Sequence, residues 1–598
     1  MLKFLVIILI LFIPIFCNAQ YWGERATEKS YEHSELYFRS YYLNTFGLHR
    51  FRDIVVGMIK DPFLDLYLNP ANLPELDNNN LIYLDFRGDR TESAVIRDYT
   101  IYPLDYFFSY YPRYYVDPRW YTSTRREPEP VFSIGYLSYP LEISPQILFG
   151  ATYQLIYKQE KYYSIPSWIY MNRYGYDAFN AQVVDEGDIP IKDREVGQDE
   201  MLNHGHLFSI FLGSQLVEKF SIGFSLNSII HSREGIYADT RSDEYGNTDN
   251  SNWYYYKENS KDQNYDHYDL SLGLNYYFTH TFFSGIKIGY LGGDSKQTYQ
   301  AIYSSKYQYQ QIDEPSNWSR SMSESITNQS WDHDGENWYG SINLTKKTKQ
   351  GHWMNIYYRY TEGNNNLQNN TEITDTSYYA SHWTSDTEIN EYRNSSSLSD
   401  IRAGSGKRTS NHHEAMLNMH MKLSKKSTVI LGCYYFIRKS IISSTEPVIA
   451  NRFSHYYSSG YYNRDVTKTL LEDKTLEWEY NSKEWSFQIP VFLDFQVSSY
   501  WSIMLGISRS LYSWHIKDET IAYFDIRRRT ENDSIYTETN FGERYKEPDK
   551  KLSEEFTDII SKFSVKISSD FQIHLLINPE FKESFRIAQW WLGFQASL

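Results

Sequence analysis

The chain has 598 residues, of which 41% are apolar and 22% charged, and 57 tyrosines help to raise the aromatic share to 18%. These proportions exclude a disordered chain and a helical membrane protein. The net charge of −16 argues against nucleic acid as a partner, because phosphates call for lysine and arginine. The only cysteines, Cys17 and Cys433, exclude a disulfide framework and a cysteine-based zinc site.

The first nineteen residues have the layout of a secretory signal peptide. Lys3 precedes an apolar stretch over residues 4–16, and Ala19 is a small residue at the expected cleavage site. A lipoprotein anchored at Cys17 and a retained membrane anchor are the alternatives. The bulky residue before Cys17 is a poor match for a lipoprotein cleavage site. The apolar stretch is short for a membrane-spanning helix, which needs about 20 residues. We therefore expect residues 1–19 to be removed on export.

Beyond residue 80, apolar and polar side chains alternate, which indicates strands with two chemically different faces. In one such segment Phe220, Ile222 and Phe224 alternate with Ser221 and Gly223. About sixteen segments share this pattern: 81–89, 131–138, 147–157, 206–214, 220–231, 268–277, 282–292, 338–345, 352–361, 414–423, 428–438, 485–497, 501–511, 560–567, 571–577 and 585–598.

The connections between these segments alternate between short turns and long polar stretches. The long stretches are predicted to be loops: 90–130, 158–205, 232–267, 293–337, 362–413, 439–484 and 512–559. This alternation, together with an even number of strands and outward apolar faces, is typical of outer-membrane barrels. We therefore predict that residues 79–598 form a transmembrane antiparallel up-and-down β-barrel of about 14–16 strands in the cell outer membrane. Its long loops would be extracellular. A secreted soluble sandwich or propeller is the alternative, but it gives no reason for long connections to alternate with short ones.

The two faces of the predicted strands assign side chains to lipid or to the lumen. Cys433 falls on the lipid face, as a small apolar residue. Pro490 interrupts its strand and is interpreted as a bulge, with an edge, a kink or a lateral opening as alternatives. The alternation of side-chain direction along each strand, which we call parity, leaves open whether the lumen is conducting or plugged. By parity the following side chains point into the lumen: Lys287, Asn355, Arg359, Asn418, His420, Lys422, Gln488, Asp494, Lys562, Lys566 and His574.

Residues 20–78 do not alternate, and they end in Asn69-Pro70-Ala71 shortly before the first strand. An Asn-Pro-Ala element in this position resembles the long-chain fatty-acid transporter (FadL-like) family of outer-membrane proteins. The resemblance implies fourteen strands and an N-terminal hatch that contains the element and plugs the barrel. It also implies diffusion of a hydrophobic ligand past the hatch. We therefore expect residues 20–78 to be a periplasmic or hatch-like segment.

No catalytic, metal or cofactor site is predicted. His204 with His206, and His412 with Glu414, lie at loop–strand borders without a convincing third ligand. The expected function is passage of a small hydrophobic molecule through a hatch-plugged lumen. The alternatives are a closed structural or binding barrel, whose outer loops contact glycans, surfaces or partner proteins, and an outer-membrane hydrolase. Expected partners are outer-membrane lipid, lipopolysaccharide and the barrel assembly machinery, which would recognise the final alternating strand.

Overall fold

The computed structural model describes residues 57–75, 80–89, 100–104, 113–117, 130–141, 147–164, 195–245, 249–348, 350–384, 389–460, 463–546, 549–581 and 585–597. The predicted signal peptide and residues 20–56 lie outside the described residues. In the part of the chain that is described, no helix is both long and apolar enough to cross a membrane.

Two short helical elements precede a chain that is otherwise made of strands. The helical elements are α1 (Pro62–Leu68) and a 3-10 helix (Pro70–Glu75). The strands are β1 (Leu81–Asp89), β2 (Thr100–Leu104), β3 (Arg113–Asp117), β4 (Pro130–Leu141), β5 (Ile147–Ser164), β6 (Glu195–Val217), β7 (Phe220–Tyr245), β8 (Asp249–Thr279), β9 (Phe282–Gln311), β10 (Trp318–Lys347), β11 (Trp353–Thr384), β12 (Ile389–Lys422), β13 (Ser427–Ser459), β14 (Arg464–Gln496), β15 (Trp501–Glu531), β16 (Ser534–Lys546), β17 (Lys550–Lys566), β18 (Phe571–Phe581) and β19 (Phe585–Ser597).

The strands close into an antiparallel barrel. Neighbours in sequence pair from β4 to β15, and β1 closes the ring by pairing with both β19 and β4. The strands β16 and β17 pair with successive parts of β15 and together occupy one position. The small β2–β3 hairpin stands apart from the ring. Among the described residues the ring therefore has sixteen positions, which confirms the predicted barrel and differs from the fourteen strands that the family resemblance implies.

Five of the seven long polar segments that were predicted to be loops are instead mostly strand: 232–267, 293–337, 362–413, 439–484 and 512–559. Most of 90–130 and 158–205 lies outside the described residues. Eight consecutive strands, β8 to β15, have 30 to 34 residues each. At about 3.3 Å per residue a 30-residue strand is roughly 100 Å long, whereas a tilted strand crosses a bilayer in about 9–11 residues. The ends away from the short turns therefore form tall hairpins outside the membrane, which we call the outer extension.

An apolar belt surrounds the barrel near the short turns. Outward side chains such as Ile288 (59% exposed), Leu272 (47%) and Ile507 (45%) alternate with buried inward ones. Tyr290 and Trp338 pack edge to face at 4.6 Å on the upper side of this belt, where amphipathic aromatic rings suit the lipid–water boundary. A closed barrel with such a belt is an outer-membrane barrel, because all backbone groups are paired and apolar groups face lipid.

Pro490 produces neither a bulge nor a shift of register. The pairing of β13 with β14 has the same register on both sides of it, and only the rungs opposite Gly432 and Cys433 are missing. Proline has no N–H to donate to the ladder, which accounts for the gap. The interpretation of Pro490 as a bulge was therefore wrong.

Candidate functional site

Residues 57–75, which we call the plug, fold into a compact segment inside the barrel. Pro62 occupies the first turn of α1, where a missing N–H costs nothing. The side chain of Asp61 caps the helix by accepting from the backbone N–H of Phe63 (3.0 Å) and Leu64 (3.2 Å). After the helix, Asn69 Oδ1 accepts from the Ala71 N–H at 3.0 Å, which sets the turn into the 3-10 helix.

Apolar side chains of the plug join two clusters on the inner wall, at the level of the short turns. One cluster unites Met58, Ile59 and Leu64 of the plug with residues of β12 to β14 and β17 to β19. The other unites Phe63, Leu66 and Leu73 with residues of β1 and β4 to β6. The plug thus packs against widely separated parts of the ring rather than against one hairpin.

The Asn-Pro-Ala element lies against β7, β8 and β9. Asn69 Nδ2 lies 2.9 Å from Asn275 Oδ1 and 3.3 Å from the Leu274 carbonyl oxygen. Asn275 in turn donates to Asn72 Oδ1 at 2.7 Å, and Ser221 Oγ donates to the Ala71 carbonyl at 2.9 Å. These groups are buried, so each bond also removes the cost of an unpaired polar atom.

Four glycines make room for this element on the inner wall. Gly213 pairs with Gly223 across β6 and β7, Gly223 pairs with Gly273 across β7 and β8, and Gly285 follows on β9. A Cβ added at Gly223 would meet the backbone of Pro70 and Ala71, and one added at Gly285 would lie 2.8 Å from Asn69 Nδ2. We call these four residues the glycine groove, since the plug backbone at Gly223, and side chains of Leu73 or Asn69 at the other three, lie where a Cβ would bring a clash.

Polar contacts also hold the plug on other strands. The Gly57 carbonyl accepts from Asn355 Nδ2 (3.1 Å) and Asn418 Nδ2 (2.9 Å), and His420 Nε2 donates to the Met58 carbonyl at 2.6 Å. Gly57 has φ +70°, a conformation that favours glycine.

Tyr67 links the plug to a further side of the ring. Its hydroxyl shares a hydrogen bond with Ser209 Oγ at 2.8 Å and lies 3.3 Å from Thr152 Oγ1. Its carbonyl accepts from Lys287 Nζ at 2.8 Å. Hydrogen bonds therefore reach the plug from β5 to β9 and from β11 and β12.

The residues that parity directed inward fall into three groups. Lys287, Asn355, Asn418 and His420 contact the plug, as described above. Lys422 and Lys566 are exposed at the ends of β12 and β17 that lie at the short turns. The others line the lumen, and among them Lys562 interacts electrostatically with Asp61 of the plug: Arg359, Gln488, Asp494, Lys562 and His574.

The lumen above the plug is polar at first and becomes apolar in the outer extension. Tyr339 donates to Asp269 at 2.8 Å, and Tyr434 donates to Glu414 at 2.9 Å. Higher up, inward residues of β10, β11, β13, β14 and β15 pack into an apolar cluster inside the extension. This outer cluster consists of Trp331, Leu367, Ile442, Trp478, Tyr480 and Ile516.

An ion cluster lies in the outer extension beyond the membrane. Arg527 Nε donates to Glu472 at 2.9 Å and its Nη1 to Glu543 at 2.7 Å, while its guanidinium lies 4.0 Å from the Phe524 ring centroid. Burial alone would raise the pKa of Glu472, but the Lys474 ammonium and Arg527 outweigh it and lower the pKa. The cluster is internally satisfied and therefore ties strands together.

Comparison with known proteins gives no family for this chain. No protein-family profile and no curated protein matches it. Among solved structures, a mutant of the ferric enterobactin receptor of Pseudomonas aeruginosa is 8% identical, with 87% of this chain and 81% of that chain covered and a TM-score of 0.24. The ferric-catecholate import receptor Fiu of E. coli is 7% identical, with coverages of 87% and 81% and a TM-score of 0.23. Identities and TM-scores this low assign no function to the chain.

Proposed function

We propose that this outer-membrane barrel passes a small polar solute, and that the plug closes its lumen in the resting state. The observation that carries the proposal is the fit between the Asn-Pro-Ala element and the glycine groove. A wall that lacks side chains where a separate segment docks favours a specific closure over incidental filling. The remaining contacts of the plug are distributed around the ring, as a closure requires.

The character of the solute is inferred from the lumen above the plug. Its inward side chains there include Asp269, Lys287, Arg359 and Glu414, and such groups bind polar ligands rather than acyl chains. The hydrophobic ligand implied by the family resemblance is the alternative. A hydrophobic ligand is supported by the two apolar clusters on the inner wall, but side chains of the plug already pack in both of them.

A closed structural or binding barrel is the second candidate. The outer cluster favours it, because apolar side chains from β10 to β15 meet inside the extension. In that case the extension would present a binding surface and the lumen would stay filled. Outer-membrane lipid and lipopolysaccharide would contact the apolar belt in either case.

Single-channel conductance in planar bilayers separates these functions. The purified chain without its signal peptide is compared with one that also lacks residues 20–75, and heat-dependent gel migration shows that both barrels are folded. We expect the longer chain to be closed and the shortened one to conduct. Steady conductance by the longer chain would show that the plug is no barrier, and no conductance by either would favour the closed barrel.

Liposome flux then tests the solute class. We expect the shortened chain to admit small sugars and small carboxylates. Faster transfer of a fatty acid than of these polar solutes would instead favour the hydrophobic ligand.

A further inference from the structure

Arg359 stands out among the inward side chains because its charge is not paired by a bond. It lies on β11, partly buried, with its guanidinium carbon 4.0 Å from the Tyr339 ring centroid. No described residue forms a hydrogen bond or ion pair with it, and its Nε is buried without a partner. Because guanidinium groups are suited to bidentate binding of carboxylate or phosphate, such an arginine points to an external ligand.

Lys287 is a second cation on the same rung of the barrel. The pairs Lys287–Ser341 and Ser341–Arg359 place it two strands away from Arg359 on the inner face. Its ammonium lies 5.5 Å from the same Tyr339 ring. Its ammonium donates to the plug at the Tyr67 carbonyl, and an anion bound at Arg359 would offer it a charged and therefore stronger acceptor than this neutral carbonyl.

The nearby carboxylates already accept hydrogen bonds from neutral donors. Asp269 accepts from Tyr339 at 2.8 Å and from Asn227 at 3.3 Å, and Glu414 accepts from Tyr434 at 2.9 Å. Both carboxylates act on Arg359 electrostatically without bonding to it. Arg359 thus retains unused donors, while the carboxylates near it already accept hydrogen bonds.

Two residues above Asp269 on β8, His267 adds a fully buried side chain. It is 0% exposed, and neither ring nitrogen has a hydrogen-bond partner among the described residues. Its ring lies against Gly293 on the neighbouring strand. A buried imidazole without a partner is costly unless a ligand or water completes it.

We propose that Arg359 and Lys287 bind a carboxylate or phosphate group of the solute directly above the plug. The proposal deepens and rests on the proposed function. The bound anion would form its strongest contact with the Arg359 guanidinium. It would also compete with the Tyr67 carbonyl for the Lys287 ammonium. Solute binding would thereby weaken one attachment of the plug.

Calorimetric titration of the full chain in detergent tests the site, with succinate and inorganic phosphate as probes and glucose as the uncharged control. We expect saturable binding of at least one anion. Arg359→Gln should weaken it at least tenfold, Arg359→Lys should weaken it less, and Lys566→Gln, at an exposed strand end, should leave it unchanged. Heat-dependent gel migration confirms that each variant is folded.

Absence of saturable binding of either anion, or equal binding by Arg359→Gln and the unchanged chain, would overturn the site. Succinate without phosphate binding would assign a carboxylate ligand, and the reverse a phosphate ligand. Since binding is measured without a membrane, a barrel that conducts after plug removal but binds no anion would overturn only this inference.

The link to the plug has its own readout. Added anion should speed hydrogen exchange in residues 57–75 of the unchanged chain. It should have no such effect in Lys287→Gln, which has already lost the bond to the Tyr67 carbonyl.

Discussion

The glycine groove predicts that a side chain at position 223 will displace the plug without damaging the barrel. A Cβ at Gly223 would lie under 3.0 Å from the backbone of Pro70 and Ala71, whereas ordinary contact begins at 3.4 Å. The strand β7 is held on both sides by β6 and β8, so the plug must yield. Valine is favoured in strands, so Gly223→Val leaves the wall intact.

The magnitude follows from the hydrogen bonds that the displaced element loses. Withdrawal of the element to ordinary contact distance breaks or stretches the bonds that Asn69, Ala71 and Asn72 form with the wall. At about 1 kcal/mol each, three bonds contribute about 3 kcal/mol. Since 1.4 kcal/mol is a factor of ten, the docked-to-undocked ratio should fall roughly a hundredfold.

Hydrogen exchange by mass spectrometry measures this ratio in the purified protein. Peptides that cover residues 69–72 should lose about a hundredfold of their protection in Gly223→Val, while peptides from β7 keep theirs. Gly340→Val is the matched control, because a Cβ at Gly340 meets nothing within 4 Å. Gly223→Ala should already show most of the effect. Unchanged protection in a folded Gly223→Val barrel would refute the docking argument.

Three further predictions concern other parts of the chain. Asn355→Ala and Asn418→Ala should each have little effect on plug protection, because both donate to one carbonyl, whereas the double variant should lose more than their sum. The ionised form of Glu472 stabilises the outer extension, so protection of β14 should fall as the pH drops below 4.5, and Glu472→Gln should abolish that dependence in a hydrogen-exchange pH series. Cys433 should react with a membrane-partitioning maleimide and not with a charged one, which a mass shift detects.

The sequence predicts the barrel well wherever one face meets lipid. Each of the sixteen predicted segments lies largely within a strand of the ring, and β1 has the predicted bounds. The contrast between apolar and polar faces disappears outside the bilayer, where both sides of a strand meet polar surroundings. The tall hairpins of the outer extension were therefore mistaken for loops, although their tyrosines and threonines favour strands.

The site was predictable only in part. Parity tells whether a side chain points to the lumen or to lipid, but not where it lies along the barrel axis. Lys422 and Lys566 point to the inner face by parity but lie exposed at strand ends. The glycine groove was missed for a related reason. Gly223 and Gly273 fall on the polar faces of their strands in the sequence, but only the cross-strand register aligns them beneath the Asn-Pro-Ala element.

The distribution of contacts indicates which part of the plug moves first. On the side of β7 to β9 the plug is held mainly by single hydrogen bonds over glycines, each worth about 1 kcal/mol net. On the neighbouring side, against β1 and β4 to β6, Phe63 and Leu66 are fully buried, and exposing each costs about 1.5–3 kcal/mol. Local withdrawal of residues 69–72 is therefore easier than release of the whole plug. Hydrogen-exchange protection should accordingly be graded within the plug, with the Asn-Pro-Ala element less protected than α1.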